Sequence, residues 1–205
     1  RFFFAYGAPV LYLFFGGGWG MGGAALLRFR SVGNEMVDSV GGITYITHDD
    51  PVWRPAENGY VALVDLAPFG FEGEQEQVWL RGVGEGEFEV CCVPFRIYGM
   101  SLGDKVELSD GRFVSGVVAR KGRKVFRVFF ADPRPATATL DSRGPLRAAV
   151  LAGGFLSEWS GDRHVAIDIP DLSDPSAIFA AIDEEVRNET AYCEWGDSEP
   201  FTIGS

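Results

Sequence analysis

Reactive side chains are scarce in this sequence. Cysteine occurs three times, at Cys91, Cys92 and Cys193. Three thiols, two of them adjacent, make neither a disulfide framework nor the ligand spacing of a zinc site. Histidine occurs twice, at His48 and His164, so only two imidazoles are available as bases. Basic side chains are in deficit: 18 Lys and Arg stand against 29 Asp and Glu, a net charge of −11. A chain of that sign is repelled by phosphate backbones, which argues against nucleic acid as a partner. Apolar residues are not lacking. A composition of 46% hydrophobic, 14% aromatic and 23% charged residues is globular. It excludes wholesale disorder, collagen-like repeats and disulfide-dense miniproteins. Two hundred and five residues give room for one ordinary domain, or two small ones sharing a core.

One stretch lacks charge altogether. The twenty-six residues between Arg1 and Arg28 carry none, and such a run can span a bilayer of about 30 Å at roughly 1.5 Å per residue. Seven glycines and Pro9 weaken a helix there, and no small-residue cleavage site follows. Three readings stay open: upstream sequence read in frame ahead of a start at Met36, a membrane anchor through residues 2–27, or a disordered tail. Arg outnumbers Lys 15 to 3, the mark of a GC-rich genome, and favours the first. The acidity lies beyond this segment: residues 1–35 hold three basic and one acidic side chain, residues 36–205 hold 15 and 28.

Residues 36–59 carry turn signals (Gly41-Gly42, Asp49-Asp50-Pro51, Asn58-Gly59) around one β-rich run, 43–47, and predict an irregular lead-in with one edge strand. A strand follows over 61–66, then an acidic surface loop from Pro68 to Gln77. Runs 78–83 and 88–93 flank Gly84-Glu85-Gly86-Glu87, a hairpin signal. Further turns at 102–104, 109–111 and 121–123 space short strands 8 to 12 residues apart. That spacing predicts an antiparallel meander or partial small barrel over 61–120.

The last third changes period. A strand over 125–131 precedes a helix from Thr139 to Ala152, stopped by Gly153-Gly154. Residues 155–159 and 164–169 alternate around Ser160-Gly161-Asp162 as a hairpin. Asp174 is placed to cap a second helix with Pro175 at its first position, and Tyr192 to Trp195 closes the chain as a strand. Strand, helix, strand, strand, helix, strand is the βαββαβ unit of ferredoxin-like folds. Its core would collect Phe126, Val128, Phe130, Val165, Ile167, Ile169, Ile178, Ile182 and Val186. The expectation is therefore an α+β fold: one domain over 60–197, with a strand-rich half (60–120), a ferredoxin-like half (124–197) and a tail (198–205).

The segment from Val93 to Glu107, Val93-Pro94-Phe95-Arg96-Ile97-Tyr98-Gly99-Met100-Ser101-Leu102-Gly103-Asp104-Lys105-Val106-Glu107, resembles the hallmark of an uncharacterised bacterial family, number 4265 among the domains of unknown function. Members show an Ile-Pro-Phe-Phe-like segment, a small linker, then Leu-Gly-Asp and an alternating strand. Ala166-Ile167-Asp168-Ile169-Pro170 and the aromatic-acidic strand at 192–195 are similar to it as well. Cys92-Val93 stands where the family often has Asn-Ile, and Arg96 where a second aromatic is usual. The resemblance implies a domain over 60–197 and brings no catalytic residue or cofactor with it.

Candidate chemistry is sparse. Gly82-Val83-Gly84-Glu85-Gly86 lacks the third glycine and the following helix of a phosphate loop, and reads as a hairpin turn. Asp162, His164 and Asp168, with Asp171 and Asp174 downstream, are the densest set of possible metal ligands. His164 and Asp168, four apart on a strand, are about 13 Å from each other and cannot share one ion, so no metal or other cofactor is expected. Cys91 and Cys92 point to opposite faces of one strand. A pairing of either with His48 or His164 is possible in principle, and small buried thiols are the common alternative. Glu72, Glu74, Glu76, Glu85, Glu87 and Glu89 make an acidic patch around the first hairpin, either a solvated face or a docking surface for a basic partner. Arg120, Lys121, Arg123 and Lys124 form a hairpin tip too small for nucleic acid.

The leading expectation is a non-enzymatic binding domain of a bacterial cytoplasm, acidic enough to engage a basic protein as a toxin-neutralising immunity protein would. The alternative is a small-molecule or enzymatic site between the two halves. Candidate binding residues across the two readings are Arg96, Tyr98, His164, Asp168, Glu85 and Glu87. A third reading, a membrane-anchored domain, depends on residues 1–35.

Overall fold

The computed structural model describes residues 37–40, 42–131 and 141–196. Residues 1–36, Thr139 and Leu140 at the expected helix start, and the tail 198–205 lie outside the described residues. The fold is mixed α+β, with two sheets and two helices among the described residues.

The first sheet contains β1 (Val37–Val40), β2 (Ile43–Ile46), β3 (Gly59–Asp65), β4 (Glu74–Gly82), β5 (Phe88–Val90), β6 (Lys105–Ser109) and β7 (Phe113–Ala119). Strands β3 to β7 follow one another in chain order, each antiparallel to the next. Four reversals return the fifth strand to the direction of the first. Closure is therefore parallel, β7 meeting β3 at Leu63 and Phe113. The result is a five-strand, barrel-like sheet. Register shifts between β6 and β7 at Lys105/Val106 and Glu107/Leu108 supply local bending of the kind bulges give. Ala62, Val64, Val78, Leu80, Val106 and Val114 fill the interior.

Two stretches differ from expectation. The lead-in carries two strands, β1 and β2 paired as a hairpin, and β2 runs parallel to the start of β4. The acidic surface loop ends at Gly73, because Glu74 to Gln77 belong to β4. The inner face of β4 reads Glu76, Val78, Leu80, all buried, so a charge occupies a position where alternation calls for an apolar residue.

The second sheet contains β8 (Lys124–Phe130), β9 (Leu156–Ser160), β10 (His164–Ile169) and β11 (Ala191–Trp195), in the order β11-β8-β10-β9 with every pair antiparallel. Helices α1 (Arg143–Ala152) and α2 (Ser176–Arg187) pack on one face. There Phe126, Val128, Phe130, Val165, Ile167 and Ile169 meet Leu146, Val150, Ile178 and Ile182. Each such side chain contributes about 1.5–3 kcal/mol on burial. Asp174 accepts the Ser176 N–H at 3.0 Å, one step out of the expected capping register, with Pro175 itself at the cap. The opposite face is covered too. Val125 and Ala166 point into the barrel core, and β10 is buried at every position.

Candidate functional site

Between the sheets runs the connection from β5 to β6, residues 91–104. It has no regular structure, yet every residue in it except Tyr98 is buried. Irregular backbone is normally kept at the surface, where water satisfies its N–H and C=O groups. Here charged side chains do so. Glu158 accepts the Val93 N–H at 2.8 Å, and the Val52 N–H at 3.1 Å. Glu76 accepts the Phe95 N–H at 2.7 Å with one oxygen and the Arg96 N–H at 2.8 Å with the other. Arg127 donates to the Pro94 carbonyl at 3.3 Å and to the Ile97 carbonyl. Asp104 accepts the Ser101 N–H at 2.9 Å and the Lys121 N–H at 2.7 Å. Anions meet donors and a cation meets acceptors, so charge sign matches backbone polarity.

Strand register explains how these groups converge. Glu194 lies beside Arg127, Arg127 beside Ala166, and Ala166 beside Glu158. Alternation puts all four on the face away from the helices. Arg127 donates to Glu194 at 3.0 Å, and the Tyr98 hydroxyl donates to the same carboxylate at 2.6 Å. The Arg127 guanidinium sits 4.9 Å from the Tyr98 ring. Close by, a Cβ on Gly196 would come within 2.6 Å of the same guanidinium, which would have to shift to admit it. The Gly196 carbonyl then accepts the Gly99 N–H at 2.7 Å.

His48 joins the two halves. Its Nδ1 lies 2.5 Å from Glu158 and its Nε2 lies 3.1 Å from Glu76, while its ring stacks on Phe95 at 4.5 Å. Burial alone would lower its pKa. The neighbouring Cys92 and the carboxylates of Glu158 and Glu76 more than reverse that, holding the imidazole well above 6.5. Both ring N–H groups therefore donate. Burial pushes Glu76 upward, but the His48 hydrogen bond and charge and the Phe95 N–H bring it below its ordinary value. Burial raises the Cys92 thiol against the opposing pull of His48.

The six candidate binding residues do not form one site. Arg96 is buried, paired with Glu74 and 5.1 Å from the Phe71 ring. Tyr98 belongs to the Arg127 group. His164 stacks on Phe129 at 3.7 Å and faces Phe95 at 5.2 Å. Burial, with Arg96, Arg127 and His48 nearby, keeps it well below 6.5 and neutral. Asp168 accepts Arg123 at 2.7 Å, and burial raises its carboxyl despite that partner. Glu85 and Glu87 stand on the hairpin turn, Glu87 3.0 Å from Lys105. Of the expected acidic patch, Glu76 is in the core, and Glu74, Glu87 and Glu89 are paired with Arg96, Lys105 and Arg81. Of that set, Glu72 and Glu85 are exposed and form no ion pair among the described residues. No three His, Cys, Asp or Glu side chains among the described residues are grouped to hold a metal.

The residues that do converge are His48, Glu76, Arg127, Glu158 and Glu194; none is among those six, while the sequence offers His48 as a base for a cysteine and Glu76 as part of the acidic patch. One of them carries a signal: Arg127, a charge within the otherwise apolar run 125–131. His48 follows β2 with no pattern around it.

The segment so clamped begins within the resemblance noted above, and the sequence comparison extends it. Residues 76–192 match the family described as a domain of unknown function, DUF4265. The chain belongs to this family. Among curated proteins none matches it. A solved structure, described as a novel crystal structure of a hypothetical protein from Neisseria gonorrhoeae, aligns with 72% of this chain and 99% of its own at 16% identity, with a TM-score of 0.49. Among the DUF4265 residues are Glu76 and Glu158, whose carboxylates accept backbone N–H groups of the buried segment. His48 lies before the matched region. No helix among the described residues is long and apolar enough to cross a membrane.

Proposed function

We propose that this DUF4265 protein is a non-enzymatic binding domain whose partner is a basic protein. The observation that carries the reading is the commitment of its most enzyme-like group. Cys92, His48 and Glu158 lie together as a nucleophile, a base and an orienting carboxylate would. Nucleophilic catalysis needs a thiolate and a base with one nitrogen free to take its proton. Here burial raises the thiol and so disfavours the thiolate, and both His48 nitrogens are engaged by carboxylates. The same carboxylates carry the backbone of the buried segment. This group holds structure together, and binding is what remains for the surface.

Charge supports the choice of partner. A net −11 attracts basic proteins and steers their approach; a toxin-neutralising immunity protein is the specific version. The three free thiols suit a reducing, cytoplasmic compartment. In the second sheet the first and third strands lie at the centre and both helices on one face, which supports the finer ferredoxin-like reading and a single domain over 60–197.

The test is salt titration of a complex recovered with the purified protein. Affinity should fall steeply as ionic strength rises and the Debye length shrinks below about 10 Å. An affinity indifferent to salt removes the basic partner. A second reading, a small-molecule site between the halves, is favoured by one observation: Tyr98 alone in residues 91–104 is partly exposed, directly over Arg127 and Glu194. A ligand that quenches or shifts Tyr98 and is lost in Tyr98→Phe would establish it.

A further inference from the structure

The two ends of the barrel differ in what they carry. β3 starts at Gly59, β4 ends at Gly82, β5 starts at Phe88, β6 ends at Ser109 and β7 starts at Phe113. Each of these strands is antiparallel to the next, so all five positions lie at one end. The buried segment 91–104 leaves from the opposite end, where β5 finishes and β6 begins, and the connection from β7 into the second sheet leaves from there too.

At the first end stands Tyr60. Alternation puts it on the inward face of β3 with Ala62 and Val64, which fill the interior, so it lies at the mouth of the barrel. It is 39% exposed and meets the half-buried Phe88 ring at 5.4 Å, with 38° between the planes. Val83, 42% exposed, follows β4 at the same end. The Tyr60 ring does not swing freely, because its hydroxyl donates to the Gly111 carbonyl. That carbonyl stands on a fixed turn: Asp110 and Gly111 have φ of +51 and +62, the pair of positive values that a tight two-residue hairpin takes. The Leu63 N–H donates to the Arg112 carbonyl at 2.9 Å and ties the turn to β3. Tyrosine is enriched among the residues that carry binding energy, and a ring already fixed loses little freedom when a partner arrives.

We propose that a lysine or arginine side chain of the basic partner seats on the Tyr60–Phe88 pair at this end of the barrel. The inference rests on the binding-domain reading and names its contact. Local charge selects the occupant. Glu57 before β3, Glu85 in the β4–β5 turn and Asp110 in the β6–β7 turn are exposed and form no ion pair among the described residues. Two of the three cations at this end are engaged, Arg81 with Glu89 and Lys105 with Glu87. The third, Arg112, has its guanidinium 5.4 Å from the Phe113 ring. Three carboxylates against one cation leave the rim negative. The basic turn at 120–124 does not offset it: β7 runs from Phe113 to Ala119, which takes that turn about 20 Å away along the strand, beyond a Debye length of about 10 Å. Aromatic faces attract cations within about 6 Å, and the carboxylates add to the pull. A second copy would have to bring its own basic turn, in which Arg123 is already paired with Asp168; such a head-to-tail contact does not close and grows into filaments.

The test titrates octalysine into the whole protein, with octa-acetyllysine and octaglutamate as controls, and locates binding by hydrogen exchange. Octalysine should bind in a salt-dependent way and protect amides of 57–60, 83–88 and 109–112, and neither control should bind. Tyr60→Leu keeps the apolar volume but removes the ring, and should weaken octalysine by about three- to tenfold. Tyr60→Phe keeps the ring and should keep most of the affinity. Glu57→Gln, Glu85→Gln and Asp110→Asn together should weaken it by about tenfold with the melting temperature unchanged, so a folding defect in Tyr60→Leu does not decide the outcome. Undiminished affinity in the triple variant and in Tyr60→Leu, or protection confined to other segments, overturns the seat while leaving the basic-partner reading standing. Failure of octalysine to bind overturns both. Equal binding of octa-acetyllysine would make the contact apolar, and salt-sensitive filaments lost in the triple variant would make a second copy the occupant; either overturns the proposal.

Discussion

The two faces of the second sheet are covered in different ways. On one face, helices bring backbone that is already hydrogen-bonded, so apolar side chains suffice: Phe126, Val128, Val165 and Ile167 meet Leu146, Ile178 and Ile182. The other face receives an irregular segment whose N–H and C=O groups have no regular partners. The strands there contribute Arg127, Glu158 and Glu194, the barrel contributes Glu76, and the lead-in after β2 contributes His48. The contrast follows from one rule, that buried backbone polar groups must be paired. What covers a sheet decides the chemistry of the sheet's residues.

The sharpest way to break the comparison is to remove one ion from the polar face. Glu76→Ala takes away the acceptor for two backbone N–H groups and strands His48, and should cost about 3–5 kcal/mol in urea unfolding, the range for an orphaned buried partner. Leu146→Ala on the helix face creates a cavity and should cost somewhat less, about 2–4 kcal/mol. If the order of these two is reversed, packing rather than backbone pairing governs both faces. A third variant separates ion pairing from backbone pairing. Arg127→Met combined with Glu194→Gln removes both charges together, which often restores a buried pair to near neutrality. Here the Pro94 and Ile97 carbonyls lose their donor as well, so the double variant should remain destabilised by about 1–3 kcal/mol. Full recovery would show that the carbonyls did not need Arg127.

The pH dependence is smaller and has a defined sign. His48 is held above 6.5 in the fold, so its contribution is complete below 6.5 and is lost as pH rises through the folded value. His164 is held below 6.5, so its contribution is present above 6.5 and lost as pH falls. Glu76, held below 4.5, adds a further loss at more acid pH, as pH falls through its folded value. Between about pH 5 and 8, urea midpoints of His164→Phe should lose the decline on the acid side, and those of His48→Gln the decline on the alkaline side. Unchanged slopes in both would mean that neither ring titrates differently on folding. Smallest of all, Glu87→Gln breaks a pair with Lys105 in which both side chains are 46% exposed, and should cost less than about 1 kcal/mol.

Much of the fold is legible in the sequence, because it follows from alternation and turn chemistry. Gly84-Glu85-Gly86, Ser109-Asp110-Gly111 and Lys121-Gly122-Arg123 separate strands where expected, and Gly153-Gly154 ends α1. The polar face was harder to see. Glu74-Gln75-Glu76-Gln77 looks like loop composition, and what makes it strand is a neighbouring strand on each side, β2 and β3, which local pattern cannot supply. Arg127 interrupts an apolar strand, a visible anomaly whose meaning depends on knowing that residues 91–104 lie against it. His48 is 110 residues from Glu158. No spacing rule connects them.

Gly196 follows the last residue of β11, and its carbonyl receives Gly99, nearly a hundred residues earlier. During synthesis the barrel strands leave the ribosome first, with His48 and Glu76, while the other groups that hold residues 91–104 come later, Arg127, then Glu158, then the end of β11. Until that last strand arrives, the apolar Val93, Phe95, Ile97 and Met100 have no finished cover. The nascent chain thus carries a sticky, unburied segment from Val93 until β11 begins at Ala191, and a ribosome stalled before residue 191 would hold an aggregation-prone barrel for chaperones to shield.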